Sequence, residues 1–217
     1  MTDNPILKAI EKKIADLEVL FFDAAVALGV NRITGDYVEF GSWGGNTLRM
    51  AYETLAPAGR HLWAFDSFSG MPEPTDDRDV HPGWQTGGEG QGGVDGFHAA
   101  CAAHGIPREA YTVVEGYYDD VLPGLGDDGP PVDIAFAYVD CNMYSSTVSA
   151  LRFLAPRLKN GMIVAFDDYW CWSSRGPSGE RVALMELEAA HPEWRFVRYK
   201  DAGWGGVAFV VERADVP

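Results

Sequence analysis

Strand-like and helical segments alternate along most of this chain, and this alternation constrains its fold more than any other feature. Short runs rich in β-branched and aromatic residues are strand candidates, at residues 37–40, 61–65, 111–114, 134–139, 162–166, 195–199 and 207–211. Segments with apolar residues at helical spacing separate most of them, at residues 46–55, 94–104, 145–158 and 179–190. The sequence therefore predicts a doubly wound α/β fold with a mainly parallel, seven-stranded sheet. A glycine-rich turn joins the last two strand candidates, which predicts an antiparallel hairpin at one edge.

A helix is predicted before the first strand, within residues 1–30. Its apolar residues recur at helical spacing from Ile10 to Leu28, and Gly29 closes the pattern. Phe21 and Phe22 could pack on the chain's own sheet or on a partner subunit, and packing on its own sheet is the favoured interpretation. A chain of 217 residues is most simply one domain, spanning 1–217.

The first strand candidate runs into a glycine-rich turn of the kind that holds nucleotide-like cofactors in α/β proteins. The turn contains neither a Gly-Lys-Ser/Thr sequence for a triphosphate nor a Gly-x-Gly-x-x-Gly sequence for NAD. Glu39 would repel a pyrophosphate, but it could place an ammonium or a sulfonium group. The sequence therefore favours S-adenosylmethionine (SAM) over ATP or NAD. The predicted binding residues are Glu39, Gly41, Ser42, Trp43, Gly45, Asn46 and Thr47.

Two further strand ends complete the predicted cofactor site. Asp66 lies about 25 residues beyond the glycine turn, the interval at which a carboxylate accepts hydrogen bonds from ribose hydroxyls. The alternative for Asp66 is an ordinary turn or cap carboxylate, and Ser67 follows it in the same turn. After the third strand come Glu115, Gly116 and Tyr117, whose backbone amides and aromatic ring could contact the adenine.

Carboxylates end the fourth and fifth strand candidates. Asp140 follows one strand, and Asp167 and Asp168 follow the next. Because these ends meet at one edge of a parallel sheet, the carboxylates would repel each other unless a divalent cation or a shared proton offsets their charge. Oxygen ligands favour Mg²⁺, Mn²⁺ or Ca²⁺ over Zn²⁺. The sequence predicts a metal at Asp140, Asp167 and Asp168, and the alternative is that Asp167 or Asp168 caps the following segment.

A long loop rich in glycine and proline, residues 69–93, interrupts the alternation. A loop of this length in a compact domain is either functional or disordered. His81 and Trp84, expected to be buried at its centre, suit a flexible lid over cofactor and substrate. The alternative is a mobile surface loop. On a lid, His81 would rival Asp140 as the general base.

Four of these segments, in this order, resemble the macrocin O-methyltransferase family, at residues 39–41, 65–72, 140–147 and 166–169. The resemblance extends over roughly residues 37–211. It implies a Rossmann-like class I SAM-dependent methyltransferase that acts on sugar hydroxyls of macrolides and related antibiotics. It also implies that Asp140, Asp167 and Asp168 are metal ligands, that Asp140 is the general base, and that the protein is a homodimer. Asn142 departs from the family, since many relatives carry an acid there, and the N-terminal region is shorter than is typical.

The residues and the resemblance together predict methyl transfer from SAM to a hydroxyl of a sugar or polyol. A divalent ion, Mg²⁺ or Mn²⁺, would lower the pKa of the attacking hydroxyl and orient it. Asp140 would then accept the proton. One alternative is a catechol-type phenolic O-methyltransferase, whose acceptor site would be flat and apolar. Another is a non-catalytic SAM-binding protein.

Charge and cysteine content narrow the partners and the compartment. A formal net charge of −15 argues against nucleic acid or an anionic membrane as a partner. The three cysteines form no CxxC pair, which favours a reduced, cytoplasmic compartment. No apolar run approaches the length of a membrane span, and the N-terminus lacks the basic region of a signal peptide. The expected partner is therefore a small glycoside or polyol.

Overall fold

A seven-stranded sheet with helices on both faces forms the body of the protein in a computed structural model. The structure describes residues 4–88, 90, 92–174 and 176–214. Residues 1–3, 89, 91, 175 and 215–217 lie outside the described ones. They include parts of the predicted 1–217 domain and of the predicted lid at residues 69–93. The strands are β1 (Asp36–Phe40), β2 (Leu62–Asp66), β3 (Tyr111–Glu115), β4 (Ile134–Val139), β5 (Ile163–Phe166), β6 (Trp194–Ala202) and β7 (Gly206–Arg213). The helices are α1 (Pro5–Val30), α2 (Asn46–Thr54), α3 (Gly93–Ala103), α4 (Tyr118–Leu125), α5 (Tyr144–Leu154) and α6 (Gly179–Ala190).

The strands follow the order β3-β2-β1-β4-β5-β7-β6. The five strands from β1 to β5 pair in parallel, whereas β7 runs antiparallel to both β5 and β6. The predicted fold class and its antiparallel edge hairpin are therefore confirmed. Because the order reverses between β1 and β4, a crevice opens there at the carboxyl ends of the strands.

Helix α1 packs one of its faces on the sheet. Asn4 caps its first turn, accepting a hydrogen bond from the backbone N–H of Ile6, and Pro5 occupies the position where no amide donor is needed. Phe21 is fully buried, with its ring centre 5.1 Å from that of Phe136. The prediction that the two phenylalanines pack on the sheet is right for Phe21 and wrong for Phe22, which points outward with 61% of its surface exposed.

Two helices differ from their predicted bounds for reasons of backbone chemistry. The sequence did not predict α4, because Pro123 and Gly124 interrupt its short apolar pattern. Helix α5 was expected to reach residue 158 but ends at Leu154. A 3₁₀ turn, Ala155–Arg157, continues the chain, and Pro156 within it has no N–H to extend the α-helix.

Two observations concern membrane-spanning helices and cysteines. Among the described residues, no helix combines the length and the apolar character needed to cross a bilayer. All three cysteines are free thiols. Cys101 and Cys141 are buried, and Cys171 is partly exposed.

Candidate active site

A cleft of about 210 Å³ lies at the carboxyl ends of the parallel strands. Seven of the predicted site residues lie on its wall, namely Gly41, Trp43, Asp66, Ser67, Gly116, Tyr117 and Asp140. The other nine are not among the residues that line it, namely Glu39, Ser42, Gly45, Asn46, Thr47, Glu115, His81, Asp167 and Asp168. The three predicted strand ends of the cofactor site therefore meet in one cleft, together with the end of β4.

Asp66 holds the glycine turn in shape. Its Oδ2 accepts hydrogen bonds from the backbone N–H groups of Ser42, at 2.7 Å, and Trp43, at 3.1 Å. Its Oδ1 accepts from the backbone N–H of Phe68, at 2.7 Å. Asp66 is therefore a turn carboxylate, which was the alternative considered for it. Since it also lines the cleft, its carboxylate has further lone-pair capacity for a hydroxyl.

The last three residues of the predicted cofactor turn lead into helix α2, which starts at Asn46. Gly45 adopts a left-handed conformation, with φ of 72°, just before the helix starts. It faces α3, where a Cβ at this position would lie 3.5 Å from the sulfur of Cys101. Asn46 is exposed, and Thr47 is half-buried. This part of the turn shapes the backbone behind the cleft wall.

Glu39 is fully buried behind the glycine turn. Its Oε2 accepts a hydrogen bond of 2.8 Å from the hydroxyl of Tyr37. Its Oε1 and the Oγ of Ser42 have no hydrogen-bond partner among the described residues. Burial raises the pKa of Glu39 to about 7, although Ser42, Tyr37 and Thr47 act in the opposite direction. Glu39 is therefore a buried acid next to the predicted cofactor turn; Ser42 and Thr47 lie close enough to lower its pKa, but its Oε1 accepts no hydrogen bond of good geometry.

The raised pKa of Glu39 predicts a pH-dependent contribution to stability. Between the ordinary glutamate pKa of 4.5 and about 7, the folded state binds more protons than the unfolded state. The contribution of Glu39 to the free energy of unfolding is therefore present at low pH and is lost as the pH rises through 7. The wild type should therefore lose free energy of unfolding between pH 5 and pH 8, whereas Glu39→Gln should not lose this part. We expect the difference in free energy of unfolding, Glu39→Gln minus wild type, to rise by roughly 2–3 kcal/mol from pH 5 to pH 8.

Urea unfolding of both proteins at the two pH values measures this change. The matched control is Glu115→Gln, because Glu115 is exposed at the end of β3. Parallel pH profiles for the wild type and Glu39→Gln would contradict the assignment of this pH dependence to Glu39.

The three predicted metal-binding carboxylates converge at the ends of β4 and β5. One carboxylate oxygen from each of Asp140, Asp167 and Asp168 lies within 4.8 Å of the others. Asp167 and Asp168 are buried, whereas Asp140 is partly exposed and is the member on the cleft wall. We call these three residues the acidic cluster.

Four side chains donate hydrogen bonds to the two buried members of the acidic cluster. Asp167 accepts from the hydroxyl of Tyr138 and from the ammonium of Lys13. Asp168 accepts from the amide of Asn142, at 2.9 Å, and from the thiol of Cys171, at 3.0 Å. Asn142, the departure noted in the sequence, therefore contacts the cluster directly. Its φ of 60° lies in the left-handed region that asparagine tolerates better than most residues.

The acidic cluster favours the binding of a proton or a cation. Burial raises the pKa of Asp140, and the negative charges of Asp167 and Asp168 raise it further. Burial and the charge of Asp167 also raise the pKa of Asp168. Oxygen donors this close together suit a hard divalent cation such as Mg²⁺ or Mn²⁺. The residues at this site therefore fit the predicted metal.

Glu180 supports the acidic cluster and was not identified from the sequence. It is fully buried in the first turn of α6. Its carboxylate accepts hydrogen bonds from the backbone N–H groups of Cys141, at 3.3 Å, and Asp168, at 2.8 Å. It thereby ties the end of β4 to the end of β5. In the sequence it looks like any acid in the first turn of a helix, where negative charge is favourable.

The first part of the predicted lid is anchored to the body of the protein. Asp79 is buried and accepts a 2.8 Å hydrogen bond from the backbone N–H of Ser145, at the start of α5. The guanidinium of Arg78 lies 3.6 Å from the ring centre of Tyr144 and pairs with Glu186 on α6. These contacts attach residues 78 and 79 of the loop to helices α5 and α6. The predicted flexibility of the rest stays a prediction.

His81 and Trp84 are half-buried, so the expectation that both are buried is wrong. Their ring centres lie 4.2 Å apart, with the ring planes inclined by 33°. The Nδ1 of His81 accepts a 3.1 Å hydrogen bond from the backbone N–H of Gly83.

Comparison with known proteins adds a family and several relatives. The profile of the macrocin-O-methyltransferase (TylF) family matches residues 13–177. A curated relative from Streptomyces olivaceus is 31% identical over 177 residues, which cover 75% of this chain and 66% of the relative. That relative is 8-demethyl-8-(2,3-dimethoxy-alpha-L-rhamnosyl)-tetracenomycin-C 4'-O-methyltransferase. The chain therefore spans just under two thirds of the length of this relative.

Solved structures share the fold at lower sequence identity. The O-methyltransferase NovP superposes with a TM-score of 0.70 at 21% identity, covering 91% of this chain and 80% of NovP. The calicheamicin methyltransferase CalS11 superposes with a TM-score of 0.68 at 21% identity, covering 100% of this chain and 95% of CalS11. Both similarities extend over nearly the whole chain and support the same sheet architecture.

Proposed function

The chain belongs to the macrocin-O-methyltransferase family, as its motifs predicted, and from this premise we propose that it methylates a hydroxyl of a sugar or polyol. The acceptor would be part of a secondary metabolite, the methyl donor SAM, and the assisting ion Mg²⁺ or Mn²⁺. One observation carries the proposal. Asp140 belongs to the acidic cluster and also lines the cleft formed by the predicted cofactor turns.

The cofactor residues act by positioning. SAM supplies an electrophilic methyl group, so the protein has to align the donor and the acceptor. Asp66 would accept a hydrogen bond from a ribose hydroxyl while it holds the glycine turn. Trp43 and Tyr117 present partly exposed rings at the cleft. The unused acceptor of Glu39 suits a donor at the methionine end of the cofactor, reached directly or through the turn.

The acidic cluster would deprotonate the acceptor. A divalent ion, when bound, would lower the pKa of an acceptor hydroxyl. Asp140, Asp167 and Asp168 would hold it, with Asn142 beside them. Asp140 would take the proton from the hydroxyl, because it faces the cleft and its pKa is raised. Glu180 would keep the two strand ends at a fixed separation.

Isotopically labelled SAM tests the proposed activity. We expect label to enter glycosides from a panel of glycosides, polyols and catechols, to fall after EDTA treatment, and to return with Mg²⁺. Undiminished turnover in EDTA would remove the metal from the reaction. Label only in catechols would favour the phenolic alternative. SAM binding by calorimetry without any transfer would favour a non-catalytic protein, and no binding would refute the cofactor.

We also propose that the protein is a cytoplasmic homodimer. The outer face of α1 carries an exposed apolar stripe, formed by Val19, Phe22, Val26 and Val30. Exposed apolar stripes on helices are typical of subunit contacts. Light scattering should give twice the 23.7 kDa of one chain, and a monomeric mass would refute the dimer. The net charge of −15 fits a small-molecule partner better than nucleic acid.

A further inference from the structure

Lys13 brings a positive charge into the acidic cluster from the other end of the chain. Its ammonium donates a hydrogen bond to Oδ2 of Asp167, which lies 154 residues later in the sequence. The two side chains are only 21% and 10% exposed. The cluster therefore already has a cation of its own, supplied by helix α1.

The position of Lys13 is fixed by packing on the β6–β7 hairpin. Its ammonium lies 5.6 Å from the ring centre of Trp204. Gly203 has a φ of 68°, and a Cβ there would lie 2.8 Å from Cγ of Lys13. The turn therefore leaves room for the lysine stem only because a glycine stands there. The neighbouring Lys12 contrasts with this arrangement, since it is 73% exposed and pairs with Asp16 one turn along α1.

The positive charge of Lys13 affects the other two carboxylates of the acidic cluster as well as Asp167. It acts to lower the pKa of both Asp140 and Asp168. Although burial acts in the opposite direction, Asp167 raises the pKa of Lys13 above its usual value, so its ammonium stays charged. A divalent ion among these carboxylates would be repelled by this ammonium and would compete with it for the Asp167 carboxylate, to which Lys13 donates.

We propose that Lys13 competes with the divalent ion for Asp167 and so sets the metal affinity of the acidic cluster. An ion that binds at the cluster displaces the ammonium from Asp167 and loosens the contact between α1 and the site. Helix α1 thereby becomes sensitive to metal occupancy. This inference rests on the metal of the proposed function.

Mn²⁺ binding, measured by calorimetry in the absence of SAM, tests the competition. Lys13→Met is expected to bind Mn²⁺ at least ~10-fold more tightly than the wild type, which corresponds to about 1.4 kcal/mol. The control Lys12→Met removes the same charge one residue away and should change the affinity by less than about 3-fold. Lys13→Arg keeps the charge and is expected to stay close to the wild type.

Hydrogen exchange gives a second readout that does not depend on affinity. Mn²⁺ should speed the exchange of α1 amides around residue 13 in the wild type and leave them unchanged in Lys13→Met. If the wild type binds Mn²⁺ and Lys13→Met binds it no more tightly, the competition is refuted and the metal site stands. If neither protein binds Mn²⁺, both the proposed competition and the proposed metal site are refuted. The proposed methyl transfer is then still tested separately, by the assay with labelled SAM. Equal gains in Lys12→Met and Lys13→Met would reduce the effect to net charge and also refute the inference.

Discussion

Asp140→Asn is expected to lower the rate of methyl transfer at saturating SAM and acceptor by at least ~10²-fold, the usual contribution of a general base. Asp140 is the member of the acidic cluster that faces the cleft. Burial and its two acidic neighbours raise its pKa, which makes it a better proton acceptor than an exposed aspartate. Asparagine has nearly the same shape but cannot accept the proton. Because Asp140 is also a proposed metal ligand, the rate is measured at saturating Mg²⁺.

The rate has to be separated from cofactor binding, because Asp140 is also a predicted SAM contact. Calorimetry with S-adenosylhomocysteine measures that binding directly, and rates taken at saturation remove its effect. His81→Gln is the matched comparison, since His81 is the rival base on the loop. A near-normal rate in Asp140→Asn, with a large loss in His81→Gln, would transfer the role of base to the histidine.

The overall fold was predictable because its information is local. Alternating strands and helices specify βαβ units, and the handedness of such units leaves few possible topologies. The unpredicted α4 shows the limit of this reasoning. Its eight residues include Pro123, which is unfavourable inside a helix, yet Leu122 is buried on the sheet. Tertiary packing stabilises this helix, and a sequence pattern carries little information about such packing.

The acidic cluster was predictable for the same topological reason, whereas its surroundings were not. Asp140, Asp167 and Asp168 each follow a strand, and parallel strands end at one edge of the sheet. Lys13 and Glu180 reach the cluster from two helices. Nothing in the sequence indicates that these two residues contact the cluster, because charged residues on helices are usually solvated. Contacts between distant elements had to be seen in the structure.

Glu39 shows how strand burial limits a prediction from sequence. Strand β1 lies between β2 and β4 and is covered on both faces, so nearly all of its side chains are buried. Such strands lose the alternation that would tell which side a residue faces. The sequence therefore identified an acid next to the cofactor turn but could not show that its carboxylate lies beneath the turn. Its effect on the cofactor is expected to pass partly through Ser42 and the backbone.

Gly41 is the position where the predicted cofactor turn and the proposed base depend on each other most closely. Its N–H donates to the carbonyl of Phe65 on β2, and the N–H of Asp140 donates to the carbonyl of Phe40. Gly41 has a φ of 93°, and a Cβ there would lie only 2.0 Å from the carbonyl oxygen of Asp140. Because that oxygen belongs to the backbone, no side-chain rotation can relieve the overlap.

Gly41→Ala is therefore expected to lower the free energy of unfolding by roughly 2–5 kcal/mol and to abolish measurable SAM binding. The control is Gly59→Ala, since Gly59 has a φ of 78° and a Cβ added there would have no atom within 4 Å. It should lose only the left-handed strain, about 1–2 kcal/mol, and bind SAM normally. Denaturant unfolding and calorimetry measure the two effects. Equal losses of stability in both variants, with SAM binding intact, would show that β1 and β4 can separate at this point, and that the turn does not hold Asp140 in place.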